Sequence, residues 1–182
     1  MSTQTSMEML QSTIDFIDEI YSLKTLIRYN TTPRLQNESV AEHLSFTSLI
    51  VLQLRQHFSF NLEHALLMAL THDIPEIYTS DVPHPIKKSF PALQKALEEV
   101  ERHAWSNYPE AWMIANLEME AGKTLESLIV QLADVLSCVQ YTAHEMQLGN
   151  TYMTPIKQGS ESRVIALLEK IKTEYPHAYN NI

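Results

Sequence analysis

Four residues of this chain have the types and spacing of a metal centre. His43, the adjacent pair His72-Asp73, and Asp134 each stand in a stretch otherwise rich in apolar residues. Asp73 follows Ala-Leu-Thr-His, and Asp134 lies within Ile-Val-Gln-Leu-Ala-Asp-Val-Leu. An ionised carboxylate in an apolar setting is costly unless it is paired or bound to a cation. If the segments carrying these residues converge, two imidazoles and two carboxylates complete one site and leave positions for water and substrate. That mixed donor set suits Mn, Co, Fe, Ni or Zn, and Mg less well. An ion held there would acidify a water and polarise a phosphoryl oxygen.

Two further acids follow closely. Glu76 lies three residues after Asp73, and Asp81 five further on. A short helical continuation past Asp73 would turn Glu76 to the same side. One acid would then orient or deprotonate the attacking water and the other protonate the leaving oxygen, or the two would hold a second metal. Arg28 and Arg34 flank the segment before the His43 helix, where either could neutralise a phosphate. Lys87 and His84 (between Pro83 and Pro85) are further candidates for the substrate pocket.

These side chains need helices to hold them. Leu10, Ile14, Ile17, Ile20 and Tyr21 fall at helical spacing and predict a first helix from about Met7 to Tyr29, broken by Asn30-Thr31-Thr32-Pro33. Ser39-Val40-Ala41-Glu42 reads as a capping box opening a helix to about Phe58, with His43 in its first turn. Asn61 caps a third helix, apolar nearly all round and therefore expected in the core, which carries His72-Asp73 at its end. Ile77 to Ser89 reads as a loop. Helices are expected from Pro91 to about Asn107 and from Glu110 to Ala121. Thr124 caps a long one to about Leu148, closed by Gly149-Asn150, and a last helix runs from about Ser160 to Tyr175. No segment reads as a strand. The fold expected is all-α, a helical bundle in a single domain covering residues 1–182.

Composition narrows the function. Glycine occurs only three times, which disfavours many hairpins, and the net charge of −9 supplies no basic face for a nucleic-acid polymer. A small phosphate ester needs only a cation or two plus a metal. The lone Cys138 allows no internal disulfide, and neither a signal peptide nor an apolar run of membrane-spanning length is visible, so a cytoplasmic setting with no membrane partner is expected. His57, His64, His103, His144 and His177 are not expected to be ligands. Trp105 and Trp112 are expected in the core or an interface, Cys138 as a buried small hydrophobe, and Glu98, Glu99 and Glu101 on a solvated helix face.

The order His43…His72-Asp73…Asp134 resembles the H…HD…D signature of the HD superfamily. Glu38-Ser39-Val40-Ala41-Glu42-His43, His72-Asp73-Ile74-Pro75-Glu76, Ser80-Asp81-Val82-Pro83 and Gln131-Leu132-Ala133-Asp134-Val135-Leu136 are together similar to its bacterial 5′-deoxynucleotidase branch. The resemblance covers roughly Arg28 to Asn150. It implies an HD-domain helical fold, one bound transition metal (Co, Mn, Zn or Fe), hydrolysis of deoxynucleoside monophosphates, and self-association into a homo-oligomer. It also implies that Arg28 contacts phosphate and that Glu76 and Asp81 serve catalysis. In that branch a tryptophan after the arginine lies against the sugar; here the residue is Tyr29. Phage deoxyadenosine triphosphate hydrolases share the signature, so the number of phosphates on the substrate stays open; a catalytically silent HD scaffold that binds nucleotides is the alternative of another class, against which the intact set of ligands and acids argues.

Overall fold

The computed structural model describes residues 3–180, apart from the side chains of residues 3–5, 84 and 85. The chain is all-helical: α1 Thr3–Tyr21, α2 Val40–Leu54, α3 Leu62–Thr71, α4 Glu76–Thr79, α5 His84–Ser89, α6 Pro91–Trp105, α7 Glu110–Ala121, α8 Leu125–Gln147 and α9 Thr154–Glu174. Short 3₁₀ turns at Ser22–Lys24 and Thr151–Met153 extend α1 and precede α9. Among the described residues the extended pairing is limited to two isolated bridges, Ile27 with Ser39 and Phe58 with Tyr179.

Local chemistry sets most helix starts. The Ser39 hydroxyl accepts from the Glu42 amide (3.2 Å), and the Glu42 carboxylate accepts from the Ser39 amide (2.7 Å), which completes the capping box. Asn61 accepts from the His64 amide at the head of α3, and Thr124 from the Ser127 amide at the head of α8. Past the end of α8, Gly149 takes φ +98°, a conformation that a Cβ would strain.

Packing makes α8 the central helix. It lies against α2, α3, α7 and α9. Its Leu128, Ile129, Leu132 and Val135 join Val51, Met68 and Ile171 in the main core. A second cluster brings together Leu23, Val40, Leu44, Ile74, Trp105 and Tyr108, with Phe16 and Trp112 packed against it. The two tryptophans belong to this cluster, as their size suggests. On α2, Val40 and Leu44 belong to the second core and Val51 to the first, so this helix bridges the two.

Four expectations need correction. α1 stops at Tyr21 rather than Tyr29, because Leu26, Ile27 and Arg28 pair antiparallel with residues 38–40: the Arg28 amide donates to the Glu38 carbonyl and the Val40 amide to Leu26 (both 2.9 Å). The face α1 packs is Phe16 and Ile20, while Leu10, Ile14 and Ile17 are exposed. The stretch 77–89 is not a plain loop. Pro75 and Pro83 immediately precede two short helices, each with the fixed φ that a first turn requires. α9 begins six residues early, at Thr154, with Pro155 in its first turn. α3 also exposes Leu70, leaving the central place to α8.

Candidate metal centre

The cap on α2 places His43 one turn inside that helix, fully buried, with its amide bonded to the Ser39 carbonyl (3.0 Å). α3 ends at Thr71, and His72 forms its C-cap. Asp134 faces both from the middle of α8. Among the described residues, one group of His, Cys, Asp or Glu has potential ligand atoms all within 4.8 Å of each other: His43, His72 and Asp134. The His43 Nε2 stands 3.3 Å from the His72 Nε2 and 3.2 Å from the Asp134 Oδ1. Asp73 borders the trio, its Oδ2 3.4 Å from the His72 Nε2 and 3.7 Å from the His43 Nε2.

Proton accounting tests whether these residues suit a cation. The His72 Nδ1 lies 3.0 Å from the Ala69 carbonyl, which can only accept, so the neutral ring carries its proton there and turns the Nε2 lone pair inward. The His43 Nδ1 meets the Ser137 hydroxyl (3.3 Å), which can act either way. With Ser137 accepting, the His43 Nε2 lone pair also points inward. With both rings neutral in these tautomers, neither imidazole brings a proton into the cluster. Burial, and after it Arg28, lowers the His43 pKa against the opposing pull of Asp134 and Asp73. For Asp134 burial works toward protonation, but the neighbouring His43, His72 and Arg28 side chains hold its pKa well below the usual range. A pocket of lone pairs and ionised oxygen, each imidazole oriented through its far nitrogen, fits a divalent transition ion.

Beside this cluster, α4 turns Glu76 inward. Two tight turns continue the chain past α3: the Glu76 amide donates to the Asp73 carbonyl and the Ile77 amide to Ile74 (both 3.1 Å). Glu76 is buried, and its Oε2 has no hydrogen-bond partner. Burial, then Asp73 and Asp81, push its pKa well above the carboxylate range. Asp81 is raised by burial too, with Arg28 as the largest opposing influence; its Oδ2 accepts from the Tyr29 amide (3.1 Å). The backbone is strained on both sides of this contact. Tyr29 (φ 56°) and Ser80 (φ 60°) are the positive-φ residues other than glycine among those described.

Arg28 is half-buried and bonded to Glu38 (3.1 Å). Burial works against its charge, but Tyr29, Asp73, Glu38 and Asp134 more than compensate, so its pKa is raised. The Glu38 carboxyl is pushed up to about 7, by burial first, with Arg28 holding it down. The ring of Tyr29 stacks on Tyr141 (centroids 4.6 Å apart), and its hydroxyl donates to the Cys138 sulfur (3.0 Å). Cys138 is accordingly half-buried and polar in its contacts, with Ser160 as a second neighbour (3.1 Å), not the simple apolar filler expected.

Other candidates divide. Arg34 spends its guanidinium on the Asn37 side chain (2.9 Å) and the Tyr29 carbonyl (3.2 Å), which ties the loop rather than the cluster. Lys87 lies 3.9 Å from Glu101 and close enough to Glu76 and Asp81 to oppose the rise in both pKa values. The His84 side chain lies outside the described residues. Glu101 was expected on a solvated face; it is half-buried, its pKa raised by burial first and by Asp73 among its neighbours. Ser137 and Glu38 were not foreseen. Ser137 falls one helical turn after Asp134, a spacing that would have flagged it.

Residues 15–176 match the family model described as 5′-deoxynucleotidase YfbR-like. A 5′-deoxynucleotidase of Pasteurella multocida is 29% identical over 129 residues, which cover 68% of this chain and 60% of that protein. That match spans less than two thirds of the relative's length. A 5′-deoxynucleotidase of Photorhabdus temperata is 26% identical over 165 residues, 83% of each chain. The fold is similar to an HD-domain phosphohydrolase from Listeria innocua (TM-score 0.66, 22% identity, 88% of this chain and 86% of that one). It is also similar to a cyanophage S-2L HD phosphohydrolase bound to dA and one catalytic zinc ion (TM-score 0.53, 20% identity, 90% and 86%).

Proposed function

Because the chain belongs to the YfbR-like 5′-deoxynucleotidase family and is a metal-dependent HD phosphohydrolase, we propose that its substrates are deoxynucleoside 5′-monophosphates, released as deoxynucleoside and phosphate. The observation that carries this reading is the meeting of His43, His72 and Asp134 beside Asp73, bordered by Arg28 and the unpartnered oxygen of Glu76.

In this reading His43, His72, Asp73 and Asp134 hold one divalent ion, with Co, Mn, Zn or Fe the candidates. When bound, the ion supplies an acidified water and a polarised phosphoryl oxygen. Arg28 balances the charge of the phosphate. The water oxygen forms a bond to phosphorus as the bond from phosphorus to the 5′ oxygen breaks. Asp81, held ready by the Tyr29 amide, takes the proton of the water. Glu76, whose raised pKa favours the protonated form, gives a proton to the leaving 5′ oxygen. In an alternative arrangement the same two acids bind a second ion. Tyr29 stands where the sugar would be read, but its ring is already stacked on Tyr141. The setting proposed is cytoplasmic, as a homo-oligomer in one domain.

A second reading is favoured by Lys87, a half-buried cation in reach of Glu76 and Asp81. An additional cation suits a longer phosphate chain, and dATP would then yield deoxyadenosine and the whole phosphate chain. The relative bound to dA makes this the natural competitor.

Chromatography of products separates the readings. The protein is incubated with Co²⁺ or Mn²⁺ and with dAMP, dGMP, dTMP, dATP or AMP. Deoxynucleoside from several monophosphates, and none from AMP, supports the first reading; deoxyadenosine from dATP alone supports the second. Asp73→Ala is expected to abolish turnover and metal binding together. Full turnover in that variant would sink the metal assignment.

A further inference from the structure

One face of α8 does more than present Asp134. Along it follow Cys138, Tyr141 and Glu145, spaced three or four residues apart, so that Glu145 stands three turns beyond Asp134 on the same side. Glu145 is fully buried. Its Oε2 accepts from the Leu35 amide (2.8 Å) and from the Asn150 side-chain amide (2.7 Å), and its Oε1 accepts from the Gln36 amide (2.7 Å). The Asn150 amide also donates to the Pro33 carbonyl (2.8 Å), and the Tyr141 hydroxyl donates to the Gln36 carbonyl (2.7 Å). Apart from the bond between Asn150 and Glu145, these contacts land on the loop between Arg28 and Glu38.

This loop holds no helix or strand of its own among residues 29–38, and Leu35, Gln36 and Asn37 are exposed. What orders it is the carboxylate beneath it. A buried carboxylate given three N–H donors is stable only as the anion. Its pKa is lowered: burial opposes the charge, and the bonds from Asn150, Leu35 and Gln36 outweigh it. The loop in turn fixes the two residues at its mouth. Arg34 donates to the Tyr29 carbonyl, and Glu38 at the far end holds Arg28.

Resting on the site reading above, we infer that Glu145 is a positioning residue for substrate: it clamps the 29–38 loop to the helix that carries Asp134 and so sets Arg28 and Tyr29 at a fixed distance from the metal. It touches neither substrate nor ion. The one rigid helix carries both the ion's ligand and the loop's anchor, which ties the phosphate-binding side of the pocket to the reacting side.

The test is Glu145→Gln. Glutamine keeps one acceptor oxygen and sets an NH₂ against an amide donor. Hydrogen exchange of metal-free protein comes first, since it needs no turnover: the Leu35 and Gln36 amides are expected to exchange at least about tenfold faster than in wild type, with the α8 amides unchanged. In the assay, KM for the deoxynucleotide is expected to rise about tenfold, kcat to change less than about threefold, and Co²⁺ affinity to stay as in wild type. Faster exchange with an unchanged KM overturns the inference, as does a loss of Co²⁺ affinity in step with KM, which marks a merely structural role. Should Glu145→Gln fail to fold, Tyr141→Phe removes only the bond to the Gln36 carbonyl; a KM increase of about two- to threefold at unchanged Co²⁺ affinity supports the clamp, and no increase overturns it. Wild-type protein that turns over no deoxynucleotide sinks the functional reading instead, a result that the exchange data do not share.

Discussion

α8 carries two carboxylates on one face, Asp134 half-buried and Glu145 fully buried, and they live opposite lives. Asp134 meets two imidazoles in a cluster of acceptor atoms, with Asp73 at its edge. Glu145, three turns on, meets three N–H donors. The helix and the kind of charge are the same. What differs is the supply of donors, and that supply separates a place that can accept a cation from a place that is finished. A carboxylate that already holds three N–H donors has little left to offer a cation and serves as an anchor. One facing other acceptors needs an ion or a proton to complete it. Glu76, with an oxygen that has no partner, belongs on the reactive side of this divide.

Exchanging the reactive carboxylate for its amide has the largest expected effect. Asp134→Asn removes the charge of one proposed ligand and is expected to lower kcat/KM by about a thousandfold or more, roughly 4 kcal/mol of lost transition-state stabilisation. The comparison makes a second demand. Saturating Co²⁺ stabilises whatever folded protein binds it, by about 2.7 kcal/mol at a hundred times Kd. Thermal melts with and without the ion are therefore expected to separate in wild type and in Glu145→Gln, and to coincide in Asp134→Asn. A Co²⁺-dependent shift that survives in Asp134→Asn would break the distinction between the two ends of α8.

A smaller effect, and one of opposite character, attaches to pH. The pKa of Glu145 is lower in the folded protein than in the unfolded chain, since the bonds from Asn150, Leu35 and Gln36 outweigh burial. The folded state thus binds its proton less readily. The stabilisation is fully present above the ordinary carboxylate pKa and is lost as the pH falls through the depressed value. Urea unfolding is expected to find Glu145→Gln less stable than wild type by about 2–3 kcal/mol at pH 7, the worth of a charge-assisted bond or two. Below about pH 4 the gap between the two proteins should narrow as wild type protonates. A gap that stays constant across that range would mean that shape, not charge, holds the loop.

The two ends also differ in how far the sequence foretells them. The end with the candidate metal cluster was legible because its parts are local: a capping box fixes His43, a helix end fixes His72-Asp73, and an aspartate among apolar residues marks α8. Each helix start depends on residues three apart, within reach of pattern reading. The clamp was not legible, because Glu145 meets Leu35 and Gln36 across some 110 positions of chain. Nothing around either partner announces the other; only the spacing of Glu145 from Asp134 along a helix hinted that it faces the site. The early end of α1 was hidden for the same reason. Residues 22–29 keep an apolar helical pattern, and the pairing of Ile27 with Ser39 overrides it. Glu101 looked solvated because its neighbours Glu98 and Glu99 are exposed, while the side chain that draws it inward, Lys87, comes from α5, a helix expected to be loop.

Strain distinguishes the two ends as well, and it supplies the smallest of these effects. The donor-rich clamp has ordinary backbone at Leu35 and Gln36, whereas Asp81 is flanked by the two positive-φ residues Tyr29 and Ser80. Ser80 adopts φ 60° and ψ 166°, a region that glycine enters freely and that costs other residues about 1–3 kcal/mol. Ser80→Gly relieves that cost but gives the unfolded chain more freedom to lose, about 0.5–1 kcal/mol. The net expectation is a gain near 1 kcal/mol, read as a rise of about 2–4 °C in Tm. Turnover should move the other way, falling several-fold, because the strained turn aims Asp81 at the Tyr29 amide and a glycine there no longer fixes it. If the strain belongs to the reactive end, stability and activity must separate in this variant. If Tm and kcat rise together, the turn at Ser80 is a structural accident, and the contrast between the two ends of α8 rests on donors alone.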